Sequence, residues 1–194
     1  MKIKIADLEK RIKYYKIKRN FISFGLDTAQ VSGLVTLRTD NDYVHIEDYI
    51  VLSFKTKNHK EIYRSMVKTF EKMIDKNTNL AVIESVFVGK NAAGSVELAK
   101  YGSFAIAECI KKDINYEIIS AVSARSKLKI DTMRFGAGKA KEAVGWWLKN
   151  VLGINLTDNN IQDACVLSIL GICDGLDFKP NTVKKKTVYK RKTK

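Results

Sequence analysis

Apolar residues recur along the chain with two different periods, and the changes between them divide it into segments. In residues 1–20, Ile5, Leu8, Ile12 and Tyr15 follow at spacings of three, four and three with lysines between, the pattern of an amphipathic helix. From Phe21 the pattern shifts to runs rich in β-branched and aromatic residues, 21–27, 31–39 and 43–53, punctuated by Gly33 and the pair Asp40 and Asn41. Three strands joined by two short connections imply an antiparallel meander, because parallel pairing needs a long crossover. The segment 58–76 places Ile62, Met66, Phe70, Met73 and Ile74 on one helical face. A short apolar strand at 80–84, a helix at 91–111 and a strand at 116–120 then alternate in the way that demands parallel pairing through helical crossovers. The basic, glycine-containing stretch 126–138 reads as a loop or a broken helix, and helices at 139–152 and 157–174 close the body, with Gly175 as a C-terminal cap. The expected order is βββαβαβαα: an α/β fold with a mixed sheet, three antiparallel strands then parallel ones, and helices on both faces.

Charge adds an organisation that the periodicity does not show. Residues 1–20 carry eight basic and two acidic side chains, residues 179–194 carry eight basic and none acidic, and residues 21–178 balance nineteen against nineteen. The net charge of +14 therefore sits on two arms around a neutral body, an electrostatic footprint suited to nucleic acid. We expect a helical N-terminal arm (1–20), a globular domain (21–178) and a disordered basic tail (179–194). At 45% hydrophobic residues a real core is available, and no apolar run approaches the length needed to cross a bilayer. The N-terminus does not read as a secretory signal. Cys109, Cys165 and Cys173 stand singly in apolar segments without Cys-x-x-Cys spacing, and read as buried, reduced thiols of a cytoplasmic protein. With only His45 and His59 available, any chemistry falls to carboxylates.

Three acids lie where element ends bring groups together. Asp27 ends the apolar strand at 21–26, Glu84 ends the one at 80–83, and Asp163 sits among Ile161, Ala164, Val166 and Leu167 in the last helix. An acid at the end of a buried strand must be compensated by hydrogen bonds, a cation or a metal ion. If the first and fourth predicted strands are neighbours, Asp27 and Glu84 sit side by side, and hard oxygen ligands select Mg²⁺ or Mn²⁺. Strand-terminal acids also serve as loop or cap acids, so spacing alone leaves the matter open.

The element order, together with FGLDTAQVSG around Asp27, AVIESVFVGKNAAGSVELAKYG around Glu84 and DNNIQDACVLSIL around Asp163, resembles the RuvC family of Holliday-junction resolvases, within the ribonuclease-H-like superfamily. The resemblance covers roughly residues 21–171. It implies that Asp27, Glu84 and Asp163 are ligands of two Mg²⁺ or Mn²⁺ ions per active site. The family usually has a further ligand one helical turn before the last acid, and here that position is Asn160. The geometry is kept and the charge is lost, as in an inactivated variant or a non-cleaving binder. Asp158 is the fallback ligand, or else complements the helix dipole.

The resemblance also implies catalytic lysines, matched by Lys127 or Lys129 and by Lys139 or Lys141. The expected DNA contacts are Phe87, as an aromatic wedge at the crossover, with Lys90, Arg125 and Arg134. The implied activity is metal-dependent hydrolysis of phosphodiesters by a homodimer acting on four-way and other branched DNA, with helix 91–111 in the interface. A non-cleaving branched-DNA-binding protein is the alternative. High Lys, Asn and Ile content with a single proline suits an AT-rich genome, and the basic arms and divergent last motif fit a bacteriophage member of the family, acting in the cytoplasm of a bacterial host.

Overall fold

A computed structural model describes residues 1–56, 58–86 and 92–176. Phe87, Lys90 and the basic tail lie outside the described residues. Among the described residues six strands, the first of them β1 (Lys2–Lys4), form one mixed sheet in the order β1-β4-β3-β2-β5-β6. Strands β2 (Phe21–Asp27), β3 (Ser32–Thr39) and β4 (Tyr43–Leu52) make the antiparallel meander; β5 (Leu80–Glu84) and β6 (Asn115–Ile119) extend it in parallel with β2. The helical crossovers are α2 (His59–Met73) and α3 (Ala92–Lys111).

Side chains alternate across a strand, so each strand feeds two cores. Phe24, Leu26, Leu34, Ala81 and Ile83 point to the face covered by α2 and α3. Val35, Leu37, Leu80 and Val82 point to the other, covered by the remaining helices. These are α4 (Ala121–Lys127), α5 (Ala140–Trp146), which runs on into a π-helical stretch at Trp147–Leu152, and α6 (Asn159–Ile172). Helix α6 is buried on every side from Ile161 to Ile172, and apolar residues fill most of that stretch, with Gln162, Asp163 and Ser168 as its buried polar groups. The three thiols are buried as expected, and burial pushes Cys165 and Cys173 up to about 12.

The N-terminal segment is part of this second core. Lys2–Lys4 forms β1, an edge strand paired with Tyr43–His45, and α1 (Ile5–Ile12) follows it directly. Ile5, Leu8, Ile12 and Ile17 are all buried, and Lys18 N–H donates to the Ile172 carbonyl at 2.9 Å. The amphipathic helix expected here ends earlier than its apolar spacing suggests, because Lys13 adopts the left-handed conformation and closes α1. Leu8→Ala should therefore destabilise the protein by about 2–5 kcal/mol, as a core truncation does. Denaturant unfolding would read this, and a loss under about 0.5 kcal/mol would mean that α1 is not built into the core.

Candidate functional site

The parallel pairing of β2 with β5 sets Leu26 opposite Ile83, which brings the next residues, Asp27 and Glu84, to adjacent strand ends. Alternation puts both on the α6 face, since Gly25 and Val82 two residues earlier face that helix. The condition posed from the sequence, that these two strands be neighbours, is met.

Helix α6 brings the third acid. Its backbone lies directly on the sheet because two sheet positions have no side chain. A Cβ at Gly25 would overlap the Ala164 carbonyl and lie 2.6 Å from Ser168 N, and one at Gly33 would overlap the Asn160 carbonyl. The Ser168 hydroxyl donates to the Ser23 carbonyl at 2.8 Å, fixing the helix in register. Asp158 starts the helix: its carboxylate accepts from Asn160 N–H at 2.8 Å and Ile161 N–H at 3.1 Å. Asp158 is thus engaged as the N-cap, which answers its sequence reading as a fallback ligand. Asn160 and Asp163, one turn apart, share a cation, Lys141, whose Nζ stands 3.3 Å from Asn160 Oδ1 and 3.7 Å from Asp163 Oδ2. Arg125 approaches Asp163 from α4, with a guanidinium nitrogen 3.7 Å from Oδ1. Ser120 caps α4 by accepting from Ser123 N–H and so orients Arg125.

Burial and like charge govern the electrostatics. Asp27 is 5% exposed, and its Oδ2 has no hydrogen-bond partner. Its pKa is raised, first by desolvation and then by Glu84, against the opposing pull of Lys141 and Arg125. Asp163 is raised to about 6, again by burial first and then by the Asp27 charge. A buried carboxylate oxygen without a donor, among acids that repel one another, is a chemistry a hard cation relieves, and the donors are all oxygens. Among the described residues, no three His, Cys, Asp or Glu side chains stand close enough to enclose an ion as they are. The donor set fits Mg²⁺ or Mn²⁺; Lys141 and Arg125 provide the positive charge next to Asp163.

The other predicted basic residues divide. Lys139 pairs with Glu142 at 3.6 Å along α5, and the Lys127 carbonyl accepts from the Tyr15 hydroxyl. Lys129 and Arg134 line a separate cleft, their cationic groups over Tyr14 and Trp146 respectively. Sequence reasoning missed the positioning roles of Gly25 and Ser120. The signal for the first was present, a glycine two residues before an acid in an otherwise bulky strand.

The meander followed by parallel strands, with acids at the ends of β2 and β5 and on the covering helix, defines a ribonuclease-H-like α/β fold. A model of the family described as crossover junction endodeoxyribonuclease RuvC matches residues 24–171, and the chain belongs to the RuvC family. Its fold is similar to that of Thermus thermophilus RuvC in complex with Holliday junction substrate, with a TM-score of 0.63 at 10% identity over 79% of this chain and 98% of that one. A second Thermus thermophilus RuvC structure superposes with a TM-score of 0.59 at 12% identity, with the same coverage of both chains. No curated protein sequence matches the chain.

Proposed function

We propose that the protein is a metal-dependent endonuclease that resolves four-way DNA junctions, and related branches, by paired nicks, acting as a homodimer because two cuts need two centres. The observation that carries this reading is the convergence of Asp27, Glu84 and Asp163 on one face of the sheet, with an unpartnered buried oxygen on Asp27. Asp27, Glu84, Asp163 and Asn160 would hold the metal ions. Two such ions, when bound, supply an activated water and stabilise the departing 3′ oxygen. The chain's own contribution is positioning and charge. Lys141 and Arg125 lie beside Asp163, where they can meet a phosphate. A bacteriophage source and a wedge role for Phe87 belong to the same reading.

One observation favours a second reading, a binder that does not cut. Asn160 offers Lys141 an amide oxygen where the family usually has a charged ligand. Incubating four-way, three-way and duplex DNA with the parent chain and with Asn160→Asp, with and without Mg²⁺, separates the two. The proposal expects Mg²⁺-dependent nicking selective for branches, and a gain of about tenfold or more for Asn160→Asp. Binding of junctions without nicking by either chain would establish the binder.

A further inference from the structure

Away from the acids, the C-terminal end of α1, the turn after α4 and the end of α5 enclose a cleft of about 310 Å³. Its walls carry Arg11 and Lys13 on one side and Lys129 and Arg134 on the other. The Arg134 guanidinium lies 4.3 Å from the Trp146 ring centroid, and the Lys129 ammonium 5.9 Å from that of Tyr14. A cation stacked on a ring is held in place while its N–H groups stay free to donate, which suits a guanidinium to phosphate oxygens. One acid lines the cleft, Asp131, and it accepts from the Arg134 backbone N–H at 3.2 Å, so it is tied to the turn. Arg11 and Lys13 make no side-chain hydrogen bond or ion pair among the described residues.

Two further facts single out this cleft. Lys13 and Lys129 both have positive φ, 61° and 55°. Lysine has no local hydrogen bond to offset that conformation, as Asn or Asp has, and Gly would adopt it without strain. Two lysines in this strained conformation therefore line the same cavity. The cleft also lies on the far side of α5 from the acidic centre: Ala143, Trp146 and Trp147 share the face that lines it, while Lys141 stands on the face turned to α6, beside Asp163.

We infer that this cleft is a second DNA site, which takes the sugar-phosphate backbone of a duplex limb on the side of α5 away from the acidic centre, and that Arg11 and Lys13 supply half of its charge. Both residues precede the 24–171 segment shared with the family, so this contact is an addition made by the N-terminal segment. The inference rests on the reading of the chain as a branched-DNA nuclease.

The test is the double variant Arg11→Gln/Lys13→Gly, compared with the parent and with Lys72→Gln on α2, across the sheet. Binding of a labelled four-way junction is followed by fluorescence anisotropy in EDTA over a salt series. Loss of two phosphate contacts should lower affinity roughly ten- to thirty-fold near physiological salt and reduce the slope of log K against log salt by about two. Melting should occur at or above the parent temperature, because glycine relieves the backbone at position 13. Unchanged affinity and slope in the double variant, or an equal loss in Lys72→Gln, would overturn the cleft assignment alone. A drop in melting temperature matching the lost binding would overturn it too. A parent chain that binds no branched DNA would overturn both this inference and the reading beneath it.

Discussion

Asp27→Asn is expected to reduce nicking of four-way junctions by about a thousandfold or more while raising the melting temperature of the metal-free protein at pH 8. The two effects have one cause. Asp27 is buried at the end of β2, its Oδ2 lacks a donor, and Glu84 adds repulsion to the desolvation cost. An amide of the same shape removes the charge and with it about 1–3 kcal/mol of penalty. For a chain of this size that is a rise of about 2–12 °C. The pH dependence follows from sign. A carboxyl whose folded pKa lies above its unfolded value keeps its proton in the folded state after the unfolded chain has lost it. Stability is then greatest below the unfolded pKa, falls as pH climbs toward the folded one, and stays lower above it.

For Asp163 the window runs from 3.8 to about 6, and a shift of that size corresponds to about 3 kcal/mol. Half-buried Asp40 and Glu97, each held at about 2 by His45 and Lys100 respectively, act in the opposite direction. The measurement that isolates the site is therefore the parent-minus-variant difference in EDTA at several pH values. It should be near zero at pH 4 and grow toward pH 8. A parent as stable as Asp27→Asn at pH 8 would show that the acids carry no mutual strain.

Gly25→Ala should be among the most damaging substitutions that leave every charged group in place. The added methyl would meet the Ala164 carbonyl and the Ser168 amide, both backbone, so neither can swing aside. Helix α6 must lift from β2, breaking the Ser168 to Ser23 hydrogen bond and carrying Asp163 away from Asp27. Overpacking against backbone costs about 3 kcal/mol or more. Residual nicking per folded molecule, with folding measured by circular dichroism, should fall at least about tenfold. If folded Gly25→Ala protein cut at the parental rate, the close approach of α6 would not be what sets the acids in place.

Much of this arrangement was legible because the sheet writes its two faces into the sequence. The apolar alternation of 21–27 and 80–84, the β-branched runs and the short connections between β2, β3 and β4 are enough to give the meander and the parallel pair, and hence the neighbourhood of Asp27 and Glu84. The approach of Asp163 was not legible from periodicity, because α6 is buried all round and offers no polar face from which to read its orientation. Strand β1 is three residues with two lysines, too short to show an alternation. At the N-terminus the apolar spacing showed a helix and the charge count set residues 1–20 apart as an arm, but neither showed that Ile5, Leu8, Ile12 and Ile17 are buried. Helix α4 was hidden because Ala, Val and Ser over 120–126 carry weak patterning, and Ser120 provides the capping signal that was there to be read. Asp158 and Asp163 look alike in sequence, and only the hydrogen bonds separate a cap from a group facing the other acids.

The place of α6 in the chain has a consequence for synthesis. The helix occupies Asn159–Ile172, yet its partners on the sheet are Phe21–Asp27 and Ser32–Thr39, more than a hundred residues upstream. Those strands leave the ribosome with one apolar face bare and must wait for the helix before that face is covered, a period of several seconds at ordinary translation rates. During that wait Asp27 and Glu84 exist without Asp163. A nascent or truncated chain ending before α6 would thus lack Asp163, and under the proposed function the centre is completed only once Asn159–Ile172 has folded.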